Sequence, residues 1–351
     1  QWRGESALRR DQGVGARRWS WAQDLALAGV PMLVWEVWSL VAWLADGPYL
    51  ITEFRDSGSM SWYAARVLEV VVLIACVAAI AWLVHGCRRQ RRIMTFDVMF
   101  CIACVSIFWI DLGANFFVPV WLPSSNFVGI NNVCGHIPFV VNPDCGRAPD
   151  PIIFSLGLYV CFPGLAMLTG RVLRRVRERR PDLTNPQLLS RVILAGILVV
   201  VVIEWGFALP MRLWSYAPGP LTLNMGDGFR YPLVEVLGAG VWMGLLLALW
   251  IFKDDRGQRV VERGLDGYPK AARTGITMLA LYSLVQLITW GPGTAGLWVH
   301  GLYETAWPKL PAHIVNGICD VPEIEGTRYG PCPGSPGFRM PVRGSLLGQS
   351  P

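Results

Sequence analysis

Charge is what this chain has least of. Only 16% of its 351 residues are Asp, Glu, Lys or Arg, while 53% are apolar. A soluble domain carries about 25% charged residues, so a chain wetted over its whole surface is excluded. Histidine is nearly missing, with 4 residues. No C-x-x-C pair recurs, and Cys101 and Cys104 fall inside an apolar run, which argues against a metal site. No internal repeat is visible, so an inverted-repeat transporter has no support. The leading segment QWRGESALRRDQGVGARRWS has no apolar signal-peptide core and reads as a basic, flexible lead-in over 1–21. No long run alternates as a barrel strand must.

Long unbroken apolar stretches are present instead. About 20 such residues cross a 30 Å hydrocarbon core as a helix. The stretches predict spans at 25–45, 63–85, 95–117, 151–170, 192–212, 231–252 and 274–295, including VVVLIACVAAIAWLV and VILAGILVVVVI. The fold class expected is therefore all-α, a polytopic bundle of about seven membrane helices over 22–316. A Pro/Gly-rich tail follows over 317–351.

Basic residues cluster on one side of these spans: the lead-in, CRRQRR, RVLRRVRERR and the loop from Lys253 to Arg273. By the positive-inside rule that side is cytoplasmic, and an odd span count leaves the tail outside the plasma membrane. Four cysteines then face an oxidising exterior, where Cys134–Cys145 and Cys319–Cys332 can pair. The net charge of +6 reads as topology and contact with anionic lipid, not nucleic-acid binding.

The carboxylates are the informative feature. At about 1.5 Å per residue, Glu204 lies roughly 20 Å above Arg191 and Asp111 roughly 24 Å above Thr95. Glu235 sits near the outer end of its span, Glu36 near the midplane, and Glu69 beside Arg66 as a local ion pair. Acids at such depths cost at least about 2.5 kcal/mol each unless they face a cavity or a partner, so one shared polar cavity is expected. Asp111 and Asn115 are four apart, on one helix face. Glu204 and Arg212 are eight apart, nearly on the same side. PMRLWSYAPGP supplies Trp214 and Tyr216, Trp205 follows Glu204, and Gly240 with Gly244 predicts close helix packing. The stretch from Ile288 to His313, with Glu304, is expected to cap the cavity.

IEWGFALPMRLWSYAPGP, YPLVEVLGAGVW and LITWGPG with the Trp/Pro-rich end resemble the avermectin-type spirocyclase (AveC-like) membrane proteins of actinobacteria, over roughly 22–320. That resemblance implies closure of a dihydroxy-ketone polyketide or lipid ketone to a spiroketal, with no redox cofactor or metal. The reaction needs a proton donor, loss of water, and capture of an oxocarbenium ion. Glu204 is expected as general acid, Asp111 as base or cation stabiliser, and Glu235 in reserve. Arg212 would hold one acid ionised, Asn115 and Tyr216 would orient hydroxyls, and Trp205 and Trp214 would line the pocket. The partners implied are membrane lipids and a hydrophobic small molecule. A lipid-binding or accessory subunit of an envelope complex, with partner proteins, is the rival reading, and a proton-coupled transporter the second.

Overall fold

The computed structural model describes residues 19–52, 55–117, 120–140, 145–146, 148–216, 221–226, 229–300 and 311–315. Glu304, Cys319 and Cys332 lie outside the described residues. The chain is mostly helical, and among the described residues six helices are long and apolar enough to cross a membrane: Trp21–Asp46, Met60–Gln90, Ile152–Arg179, Asn185–Ala208, Leu233–Ile251 and Lys270–Trp298. We call the regular parts α1 (Trp21–Asp46), α2 (Met60–Gln90), α4 (Ile152–Arg179), α5 (Asn185–Ile203), α6 (Leu233–Ile251) and α7 (Lys270–Ile288), with α3 being Phe96–Val105. Their starts are written in the sequence. Ser59 Oγ accepts from Trp62 N at 3.1 Å, and Thr95 Oγ1 accepts from Val98 N at 3.3 Å. Capping boxes open α1 (Ser20, Gln23) and α5 (Thr184, Gln187).

The expected third span, 95–117, departs from a plain α-helix. After Val105 it winds as a 3-10 helix over Ser106–Asn115. Ten α residues and ten 3-10 residues together reach about 35 Å, enough to carry the chain from the arginine-rich end of the bundle to the other. Gln286 of α7 ties this stretch down, accepting from Trp109 Nε1 at 3.2 Å and donating to Ser106 Oγ at 2.9 Å. A 3-10 run this long is uncommon unless its surroundings hold it.

Helices α5 and α6 cross closely because both are notched with glycine. A Cβ on Gly240 would lie 2.6 Å from Ile197 Cα, one on Gly244 would lie 2.6 Å from Ile193 Cα, and one on Gly196 would meet Gly240 O at 2.6 Å. The packing expected from Gly240 and Gly244 is present, with Gly196 as its third member. In lipid no hydrophobic effect drives helices together, so this close backbone contact matters directly. Gly29 similarly faces the Leu279 carbonyl across the α1–α7 seam. The outward face of α2 keeps Val67, Val70, Val71, Ile74 and Val77 exposed, as a surface against acyl chains would.

The fold is not purely helical. Among the described residues, the end of the bundle opposite the arginine-rich one carries seven short strands: β1 (Leu50–Ile51), β2 (Trp121–Pro123), β3 (Gly129–Asn131), β4 (Pro149–Pro151), β5 (Trp214–Tyr216), β6 (Thr222–Asn224) and β7 (Arg230–Pro232). They pair antiparallel as β1-β3-β4, β2-β5 and β6-β7. The all-α expectation left these strands out because each is only two or three residues long, too short for alternation to show. The Cys134–Cys145 disulfide forms here. Arg66 and Glu69 form the expected ion pair, 2.9 Å apart, and also fasten this cap to α2. Glu69 accepts from Val128 N at 2.6 Å, and Arg66 donates to the Asn126 carbonyl.

Substituting Gly240→Val should cost about 1–3 kcal/mol by forcing α5 from α6. Gly164→Ala, where an added Cβ meets nothing within 4 Å, should be neutral or slightly stabilising. Denaturant unfolding of the detergent-solubilised protein measures both; equal effects would contradict the close crossing.

Candidate functional site

Beneath the strand-bearing cap lies a cavity of about 180 Å³, walled by the 3-10 stretch, α4, α5, α6 and the end of α7. A space of that size takes the reacting part of a molecule. Most of the wall is apolar. Three carboxyls reach it, from Asp111, Glu204 and Glu235, and no lysine or arginine among the described residues does.

Glu204 stands where α5 changes winding. Glu204–Ala208 is a π turn, and a second π stretch, Thr289–Thr294, continues α7. Both begin with a polar residue followed by Trp-Gly (Glu204-Trp205-Gly206 and Thr289-Trp290-Gly291), and both Glu204 and Thr289 line the cavity. Wider π turns recur at functional sites because they re-aim the side chains of a helix. Glu204 is buried at 8% exposure. Its Oε2 accepts from Trp214 Nε1 at 2.7 Å and its Oε1 from Tyr216 OH at 3.0 Å. Strand β5, paired with β2, holds both donors rigidly. Burial beside Glu204 and Glu235 drives the Tyr216 hydroxyl well above its ordinary range, so it remains a donor. Glu235, in the first turn of α6, lies close to Glu204.

Asp111 faces the cavity from the 3-10 stretch. Its Oδ1 accepts from the Tyr159 hydroxyl, and its Oδ2 has no hydrogen-bond partner. Trp121 Nε1 and Ser155 Oγ, also on the wall, close no well-formed hydrogen bond either. Buried polar atoms are almost always paired. An unpartnered indole N–H beside a carboxyl and a neighbouring hydroxyl, on an otherwise apolar wall, therefore describes a surface suited to an oxygenated guest. Aromatic faces complete it. Trp214 packs against Phe154 (5.6 Å) and edge-on to Trp121 (6.4 Å), and Trp242 Nε1 donates to Thr289 Oγ1 at 3.0 Å. Among the described residues, no group of three His, Cys, Asp or Glu is placed to hold a metal.

Five residues expected at the site are brought together here: Asp111, Glu204, Glu235, Trp214 and Tyr216. Four are not. Asn115 lies one residue beyond a full 3-10 turn from Asp111, so it points about 120° away. It braces the following loop, accepting from Val120 N (2.8 Å) and Trp121 N (2.9 Å) and donating to Trp121 O (2.7 Å). Arg212 misses the cavity because α-helical spacing ends at Ile203. The residue turns the chain into β5 with a left-handed φ of 55°, and its guanidinium lies 5.8 Å from the Phe229 ring. Trp205 is partly exposed and packs edge-on against Tyr231. Glu36 is buried beside Tyr282 in the α1–α7 seam, apart from the cavity. The sequence reading missed Ser155 and Tyr159. Their four-residue spacing on one face of an apolar helix was the available signal.

Removing only the Tyr216 hydroxyl (Tyr216→Phe) should cost about 1–3 kcal/mol, since a buried carboxyl loses a donor. Trp38→Phe, at a side chain 65% exposed, should stay within about 0.5 kcal/mol of wild type. Thermal unfolding in detergent separates the two, and an unchanged Tyr216→Phe protein would contradict the pairing with Glu204.

Residues 90–296 match the family described as Spirocyclase AveC-like. No curated protein and no solved structure matches the chain. The matched region contains Asp111, Ser155, Tyr159, Glu204, Trp214, Tyr216 and Glu235, and leaves out Glu36, Glu69 and Glu304.

Proposed function

The chain belongs to the AveC-like spirocyclase family, and from that premise we propose that it is a multi-pass membrane enzyme catalysing acid-promoted cyclodehydration of a dihydroxy-ketone, polyketide or lipid, in the cavity under its cap. The observation that carries this reading is the meeting of three carboxyls, with an unpartnered indole N–H near them, on an apolar wall. The reaction converts a hydroxyl-bearing hemiketal to an oxocarbenium ion by protonation and loss of water, and the second hydroxyl then closes the spiroketal and releases a proton. A mostly apolar cavity favours loss of water, and its three carboxyls can face the cation.

Geometry favours exchanging the roles expected from spacing. Glu204 already accepts two hydrogen bonds, and a carboxylate has lone pairs for a third. It suits facing the cation and receiving the proton of the attacking hydroxyl, as paired carboxylates do at oxocarbenium centres. Asp111 lines the wall opposite, held through Oδ1 by the Tyr159 hydroxyl, and suits delivering the proton to the departing hydroxyl. The water released can relay the proton from Glu204 back to Asp111, so the site is reset and one water leaves per turnover. Trp214 and Trp242 supply π faces for the cation. Glu235, next to Glu204, holds the reserve position.

The arginine-rich end is the cytoplasmic one in this reading, by the positive-inside rule. The 3-10 stretch with α3 completes a seventh crossing, and the disulfide-bearing cap stands outside, where Cys134–Cys145 persists.

In proteoliposomes supplied with a long-chain dihydroxy-ketone, Asp111→Asn and Glu204→Gln should each lower spiroketal formation about 10²–10⁴-fold. Glu36→Gln should leave it nearly intact. Chiral gas chromatography of the product reads both rate and handedness. Full turnover in the two cavity variants would sink the assignment.

A further inference from the structure

Strand β2 carries a polar group that the scheme above does not use. Trp121 pairs with Tyr216 across the β2–β5 ladder, and Pro123 pairs with Trp214. Cross-strand partners share a face, so Trp121, Trp214 and Tyr216 stand on one side of this ribbon. All three line the cavity, and the face thus carries three hydrogen-bond donors. Two of them, Trp214 Nε1 and Tyr216 OH, are taken by Glu204. The third, Trp121 Nε1, is shut from solvent and has no oxygen or nitrogen acceptor among the described residues.

This donor is also held in place. Asn115, only 1% exposed, grips the backbone beneath it: Oδ1 accepts from Val120 N and Trp121 N, and Nδ2 donates to Trp121 O. The Trp121 ring stands edge-on to Trp214, with centroids 6.4 Å apart. Three backbone bonds and a ring contact leave the indole little freedom to seek another acceptor. Buried donors are seldom left without one, and the open side of this donor's wall is the cavity.

We propose that the Trp121 indole N–H receives the ketone oxygen of the guest. Indole donates and does not accept, so it binds an oxygen with lone pairs and gives nothing to a bare hydrocarbon. The choice of a ketone oxygen rests on the proposed function; the unpartnered donor does not. In that reaction the first substrate hydroxyl adds to the carbonyl carbon, and its proton ends on the ketone oxygen, which becomes the hemiketal hydroxyl. The same oxygen leaves as water when its bond to carbon breaks. One donor on that atom therefore serves both halves of the reaction. It steadies the charge that gathers on oxygen during addition, and it holds the departing group while a proton reaches the other lone pair.

The test is NMR of the indole N–H groups in the full-length protein, carrying isotope-labelled tryptophan in lipid nanodiscs. The probe is a long-chain ketone without hydroxyls, which cannot cyclise, and the control is the alkane of equal length. The Trp121 signal is identified by its absence in Trp121→Phe. If that variant does not fold, benzothienylalanine at the same position keeps the double ring and exchanges N–H for sulfur. The ketone should move the Trp121 proton downfield, and the alkane should leave it in place. No shift at Trp121, or a shift confined to Trp214 or Trp242, overturns the inference. Either variant should also form spiroketal about 10²-fold more slowly, and a rate equal to an active wild type overturns it as well. A ketone shift at Trp121 in a wild type that forms no spiroketal upholds the carbonyl donor while the proposed function falls. Spiroketal formation without the shift does the reverse.

Discussion

An acid placed in a bilayer must be given partners or be enclosed, and most of this structure follows from that requirement. Charged groups at membrane depth cost several kcal/mol unless compensated, and backbone that is not helical must be buried in protein. The chain meets both conditions at one end of the bundle. Its short strands satisfy one another's backbone groups and bring Trp214 and Tyr216 down onto Glu204. The ion pair of Arg66 and Glu69 reaches the loop between β2 and β3 through the backbone of Asn126 and Val128, so even the acid with a conventional partner helps to seat the cap.

The helices supply the opposite quality, close contact without polar bonds. Gly196, Gly240 and Gly244 let α5 and α6 touch backbone to backbone, which fixes where Glu204 and Glu235 meet. The regular winding then gives way on three sides of the cavity, to the 3-10 turn bearing Asp111 and the π turns beginning at Glu204 and Thr289. Irregular winding frees carbonyls and turns side chains off the α-helical register. Here it aims polar groups from otherwise apolar helices into one space.

Composition and run length made the membrane fold legible, since long apolar stretches without charge leave few alternatives. Depth counting also brought Asp111, Glu204 and Glu235 to one cavity, because rise per residue changes little between kinds of helix. Angular arguments fared worse. The pairing of Asp111 with Asn115 assumed 3.6 residues per turn where the chain has about three, and Glu204 with Arg212 assumed an α-helical winding that ends at Ile203. The burial of Asp150 was out of reach for another reason. It stands in a loop where carboxylates are ordinarily solvated, and the pairing of β4 with β3 that places it does not show in so short a stretch.

The central claim is that the cavity carries out a dehydration on a guest that its polar atoms recognise. Mass spectrometry of small molecules released from gently purified protein, wild type against Glu204→Gln, tests this most directly. The account predicts that the variant retains a hydroxylated ketone heavier by one water than the compound found with wild type. An ordinary phospholipid unaffected by the mutation, or a stoichiometric partner protein in place of a small molecule, would contradict it.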